Sequence, residues 1–503
     1  MRIATTITTA VPLALACALG LATLTGCEDF LDREPLDTIV EDNFYRTADD
    51  MERAAYAAYT PLQDLDWTGQ GWRVTEVPSD NSQAGGTDPD FTPIDEFSIS
   101  ADNPAVNDFW QIRYRAVALA NILIDKAPLS EVDPAAQAAY VAEGKFLRAY
   151  AYFDLVRIFG DLPLVTRAPA FGQDLELPRS PVSEVYALIV DDLTEAAEAL
   201  PVARSGGTVG RATRGAALSV LAKAHLTQGD YREARDVAQA VVDLGVYSLM
   251  PDYADNWRLG TSDNNAESVF QAQHTGCGPF GTGNAHQAFF APWGEGITKD
   301  RDGWGSQIPT SPAVNNAGTT IADAFEPGDL RRRETIMSPG EFYPEINPAD
   351  GGYQYPERGA SRSLYNIKKY VVGSASNVCF MSTPQNAHLI RYADVLLTLA
   401  EAAVQLDGGV SANADAVAAF NAVRTRAGLE PVTSLDREGV FRERRVELAF
   451  EGKRWFDILR LPQDEAIALM RLHGKAIDAD DLLFPIPSSE LKINTALTQN
   501  PGY

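Results

Sequence analysis

Apolar residues recur every three or four positions through much of this sequence, the spacing that places them on one face of an α-helix. From Arg214 to Leu244 the chain reads RGAALSVLAKAHLTQGDYREARDVAQAVVDL, two amphipathic stretches hinged at Gly229-Asp230. Alanines 222, 224, 234 and 238 leave little volume between them, so the two stretches are expected to pack closely as an antiparallel pair. The same period predicts helices over residues 49–65 and 108–126, and a long one over 134–159 paired with 181–200. In residues 388–406 it puts Leu389, Ala393, Leu396, Leu397, Ala400 and Val404 on one face. Further helices are expected over 412–427, after Gly408-Gly409, and over 440–450. Each pair must bury its apolar stripe against the next, which yields a short solenoid.

The period breaks down between residues 247 and 387, where Gly, Pro, Asn and aromatic residues dominate and long loops are expected. Loops of that length in a compact protein are functional or disordered, and the tryptophans 257, 293 and 304 argue against disorder. Residues 74–107 have a similar character. The expected organisation is a helical scaffold over roughly 40–245 and 388–460, a loop-rich insert over 247–387 and a closing segment over 461–503, all in one unit spanning 27–503.

Residues 1–26 have the layout of a secretory leader: Arg2, then no charge until Glu28, with an apolar core interrupted by Pro12 and Gly20. That core is too short for a bilayer span. It ends in Leu24-Thr25-Gly26-Cys27, which resembles a bacterial lipobox, so Cys27 is expected to carry lipid and become the first residue of the mature chain. The formal charge of −27 argues against nucleic acid as a partner, because phosphate binding needs clustered Lys and Arg. Cys277 and Cys379 are the cysteines left once Cys17 goes with the leader and Cys27 takes lipid. An oxidising compartment permits a bridge between them, and their separation in sequence leaves the question open.

Four stretches together resemble the SusD/RagB family of surface lipoproteins. They are CEDFLDREPLDTIVEDNFYRTADDMERAAYAAY after the lipobox, FLRAYAYFDLVRIFGDLPLV from Phe146, LIRYADVLLTLAEA from Leu389, and RRVELAFEGKRWFDILR from Arg444 with the ending LFPIPSSELKINTALTQNPGY. They follow the family's order across nearly the whole chain. The resemblance implies a mainly α fold, with tetratricopeptide-like helix pairs forming a right-handed superhelical scaffold and an irregular, loop-rich subdomain. The G-D-Y turn at Gly229 carries the tetratricopeptide likeness. It also implies a lipid-anchored protein facing the cell exterior on the outer membrane, with a SusC-like TonB-dependent transporter as partner and a glycan, or in some members a peptide, as ligand. In the bacteria that hold this family, acids after the lipidated cysteine, here Glu28 and Asp29, accompany export to the surface. A scaffold lipoprotein that uses its helix pairs for assembly is the alternative from another class.

The residues favour binding over catalysis. Glu443, Glu447 and Glu451 stand at four-residue intervals, and paired carboxylates serve glycoside hydrolysis. Arg444, Arg445 and Arg454 are interleaved with them, however, and an adjacent arginine lowers a carboxylate pKa, the opposite of what a general acid needs. A structural ion network is expected there. The five histidines show no paired-ligand spacing, no G-x-S-x-G elbow occurs, and GPFGTG at 278–283 lacks the rest of a phosphate loop. No metal or cofactor is expected. Sugar recognition calls instead for aromatic faces and polar side chains that hydrogen-bond hydroxyls. Two stretches offer them: DLDWTGQGWRVTEVPSDNSQAGG, with Trp67, Trp72, Arg73, Asp80, Asn81 and Gln83, and the insert, with Trp293, Trp304, Tyr343, Tyr353 and Tyr355.

Overall fold

The computed structural model describes residues 44–84, 89–169, 176–277, 283–297, 320–359, 364–375, 378–379 and 381–503. The expectations for the leader, for Cys27, for Trp304 and for most of the GPFGTG stretch lie outside these residues.

The scaffold helices start where a side chain can satisfy their free N–H groups. In α1, Ala48–Gln63, Thr47 and Asp50 form a reciprocal capping box. Asn103 caps α2, Pro104–Lys126, and Asp133 caps α3, Pro134–Phe159, each followed by a proline at the first helical position, where the missing N–H costs nothing. After α4, Val182–Ala199, the predicted hairpin appears as α5, Arg214–Gln228, and α6, Tyr231–Asp243. Gly229 between them is left-handed, at φ +85°, a conformation a glycine adopts without strain. Beyond the irregular region come α7, Tyr392–Leu406, α8, Ala414–Arg426, and α9, Arg437–Glu447.

These helices pack serially, α1 on α2, α2 on α3, and so on to α6, which lies against α7 across the long insertion; α7 then packs on α8 and α9. The solenoid is therefore interrupted in sequence and continuous in space. α3 is its central element: from Phe146 to Phe159 every residue except Arg157 is buried, so FLRAYAYFDLVRIF is apolar on nearly all sides, as a helix enclosed by neighbours must be. Gly144 in α3 permits the close crossing with α2, since a Cβ there would fall 2.8 Å from Ile124 and 3.0 Å from the Ala120 carbonyl. The closing segment folds back onto the end of α3, where Phe484 N–H donates to Ile158 O (2.8 Å) and the Asn500 amide donates to Phe159 O (3.0 Å).

Two expectations change. Residues 387–391 form a strand, antiparallel to Ser268–Ala272, so the helix expected from 388 starts at Tyr392. The alternative periods compete in A-H-L-I-R, and the ladder wins because a partner strand is available. Helix α9 ends at Glu447, and Phe450 takes φ +65°, so Glu451 lies past the helix and not on its face. Cys277 and Cys379 are bridged, with Cα atoms 5.2 Å apart, just beyond the end of the 268–272/387–391 ladder.

Candidate functional site

The first aromatic stretch lies inside the protein. Trp67 is 4% exposed, packed 5.9 Å from Tyr150 with the Arg113 guanidinium 4.4 Å above its ring. Trp72 is 5% exposed among Phe91, Phe289 and Phe290. Arg73 lies 3.6 Å from the Phe91 ring and 3.3 Å from Asp90. Both oxygens of Asp80 accept from Arg454, at 2.7 and 2.9 Å, and Asn81 accepts from Arg445 and donates to Glu76. Of the six residues expected to meet a ligand here, Gln83 is the exposed one. The physical reason is area: a buried tryptophan removes roughly 200 Å² from water, about 5 kcal/mol, and the loop folds inward to collect it.

Trp67 and Trp72 nevertheless border a cavity of about 90 Å³, enclosed also by α3, α5 and residues 387–390 and 450–456. That volume holds a few waters or a small ion. His286 and His388 at its wall are kept neutral by desolvation, which pushes them down to about 4 and about 3.

The insert tyrosines are also corrected. Phe342–Tyr343 and Tyr353–Gln354 form a small antiparallel pair in which Tyr343 faces Tyr353. Both are buried, as is Tyr355, whose ring lies edge-on to Tyr353 at 6.5 Å. The Tyr343 hydroxyl donates to Glu341 at 2.5 Å. Alternation along a strand sends the next residues outward, so Phe342, 48% exposed and paired across from Gln354, carries the aromatic face expected of its neighbour.

Trp293 is 52% exposed and is the predicted aromatic that presents its ring to solvent among the described residues. It sits in Trp293-Gly294-Glu295-Gly296, whose glycines take φ +77° and +62° with nothing within 4 Å of where a Cβ would stand, a tight and open turn. Glu295 meets the exposed Arg358 at 3.4 Å, which brings the 356–359 turn to the tryptophan loop. The loop is anchored from behind: Ile297 O accepts from the Asn347 amide (2.8 Å) and from the Ser374 hydroxyl (3.1 Å). An exposed indole beside a guanidinium and a carboxylate can stack on the C–H face of a sugar and hydrogen-bond its hydroxyls. Glu295 and Arg358 were missed in the sequence because their pairing spans 63 positions. Phe342 was missed because its strand is two residues long and its outward face is set by the pairing with Tyr353–Gln354.

The acidic triplet is an ion network, as the spacing suggested, but with other partners. Arg331 donates to Glu443 (2.6 Å) and Glu447 (3.0 Å), Arg426 to Glu447 (2.6 Å), and Lys369 and Arg391 to Glu451 (2.8 and 2.7 Å). Arg444 turns the other way, to Asp457 and Asp394, while Arg445 and Arg454 hold Asp80. Adjacent positions on a helix point in different directions, so the interleaved arginines serve separate clusters.

The architecture is that of a helical-repeat scaffold carrying a loop-built face. The sequence matches a family model described as SusD family over residues 253–503 and another described as starch-binding associating with outer membrane over 29–226. It is 29% identical to SusD-like protein P2 of Formosa agariphila across 96% of this chain and 98% of that one, and 28% identical to a SusD-like protein of Bacteroides ovatus across 86% and 79%. Its fold superposes on a laminarin-binding SusD-like protein with a TM-score of 0.76 at 27% identity, covering 91% of this chain and all of that one. The chain belongs to the SusD/RagB family, whose members are binding proteins.

Proposed function

We propose that the protein is a surface lipoprotein that binds an oligosaccharide or polysaccharide and delivers it to a TonB-dependent outer-membrane transporter. Family membership and the likeness to a laminarin-binding protein support a carbohydrate ligand. The observation that carries the assignment to this chain is Trp293, an exposed indole on a glycine turn with the Glu295–Arg358 pair beside it. The loop that carries the ring is anchored at its far end, where Ile297 O accepts from Asn347 and Ser374, which limits the ordering that a stacked sugar must impose.

Affinity electrophoresis of the chain from Glu28 onward, across a panel of soluble polysaccharides that includes laminarin, tests this. Retention by at least one glucan or related polymer is expected. Trp293→Ala should weaken it at least about tenfold, roughly 1.4 kcal/mol, with the thermal midpoint unchanged. No retention on any polymer removes the glycan assignment and favours a peptide; full retention by the variant removes Trp293 from the site.

The anchor through Cys27 is tested separately in cells. Full-length protein is expected in the detergent phase on Triton X-114 partitioning, and Cys27→Ala in the aqueous phase. Equal partitioning of the two would discard lipidation at that residue.

A further inference from the structure

Phe342 is a second aromatic ring that the insert turns to solvent, half-exposed on a hairpin of two-residue strands. Its ring lies against a glycine. A Cβ on Gly352 would stand 2.6 Å from Cζ and 2.9 Å from Cε2 of Phe342, so the ring settles there because position 352 has no side chain. It is thus backed by main chain on one side and open on the other, as a stacking platform must be.

The groups around the ring suit sugar hydroxyls. Gln354 stands directly across the ladder and shares the face of Phe342; its amide donates to Gly340 O (2.8 Å), and its side-chain carbonyl takes no hydrogen bond among the described residues. Arg333 donates to Phe342 O (2.9 Å) and to Glu345 (3.1 Å), which brings a guanidinium and a carboxylate to the base of the ring. An aromatic face with a donor and acceptors beside it repeats the chemistry at Trp293, where Arg358 and Glu295 take these parts.

Asn347 joins the two rings. Its side-chain amide holds Ile297 O at the far end of the Trp293 loop (2.8 Å), and its own carbonyl accepts from the N–H of Gly352 (3.1 Å), against which Phe342 rests. Followed through these bonds, the two rings stand no more than about 40 Å apart on one framework, a reach open to a polysaccharide chain.

We propose that Phe342, backed by Gly352 and flanked by Gln354 and Arg333, is a second sugar platform for the polymer that Trp293 binds. Resting on the carbohydrate reading, it makes the ligand a chain long enough to engage both rings. Two modest contacts on one chain reinforce each other, because the first holds the polymer close to the second.

Affinity electrophoresis on the same polysaccharide panel tests this with two variants. Phe342→Leu keeps an apolar side chain against Gly352 and removes the flat face; Phe342→Tyr keeps the face. On laminarin, or on whichever polymer of the panel retains the parent most, Phe342→Leu should weaken retention about fivefold, the loss of one stacking face, and Phe342→Tyr should stay within about twofold of the parent. The thermal midpoints of both should match the parent's. Parent-like retention by Phe342→Leu overturns the second platform and, with Trp293→Ala still impaired, leaves the carbohydrate reading standing. Equal losses in the two variants also overturn it, since packing against Gly352 and not the ring face would then be at work. No retention of the parent on any polymer overturns both readings.

Discussion

Arg391→Met is expected to destabilise the protein by about 3–5 kcal/mol, the cost of leaving buried carboxylates without their counter-charge. The guanidinium is fully buried at the end of a strand and reaches three glutamates. Nε and Nη2 grip the two oxygens of Glu451 at 2.8 and 2.7 Å, and Nη1 donates to Glu447 at 3.0 Å and to Glu267. Arg426 and Lys369 would still hold Glu447 and Glu451, which is why the loss is bounded, but neither can replace a fork that faces all three at once. Urea unfolding checks this; a loss below about 1 kcal/mol would mean that the network relaxes or admits water. Acid provides a second reading of the same contacts. Burial alone would raise the Glu451 carboxyl, yet Arg391 and Lys369 hold it down to about 2, below its unfolded value of 4.5. Its pKa being lower in the folded state, the unfolded chain takes the proton first as pH falls. The stability it contributes is therefore complete above about pH 5 and lost progressively between 4.5 and 2. In Arg391→Met that acid-dependent loss should shrink.

Replacing Cys277 and Cys379 together by serine should cost about 2–4 kcal/mol of global stability. The bridge closes a separation of 102 positions, so without it the unfolded chain regains the freedom of a long loop. In the folded state little should change, because the antiparallel pairing of 268–272 with 387–391 already brings the two ends together a few residues away. The expected signature is a lower denaturant midpoint with polysaccharide retention intact. An unchanged midpoint would mean that residual structure in the unfolded chain already holds those ends close, and lost retention would mean that the bridge positions the binding face itself.

The difference between the two aromatic stretches explains how much of the site was legible. Both Trp72 and Trp293 stand beside glycines in loop-rich sequence, and composition does not distinguish them. What separates them is the neighbourhood: Trp72 meets Phe289 and Phe290, more than two hundred positions away, whereas Trp293 stays 52% exposed. Tyr343 and Phe342 make the same point over a single step, since the pairing that turns one inward exposes the other. Asp80 and Asn81 looked like ligands for hydroxyls because Asp and Asn are the right chemistry, and in the folded chain that chemistry is consumed by Arg454 and Arg445.

Local and periodic features were determined by the sequence alone: the helices, their caps and prolines, the Gly229 turn, the interruption of the solenoid and the family to which the chain belongs. These depend on interactions within about four residues, or on patterns that repeat. The tertiary structure alone decided which aromatics face water, which arginine answers which carboxylate, and that Arg391 ends a strand instead of opening a helix. Each of those is settled by a contact between distant segments, and burial of area and charge outweighs local preference wherever such a contact is available.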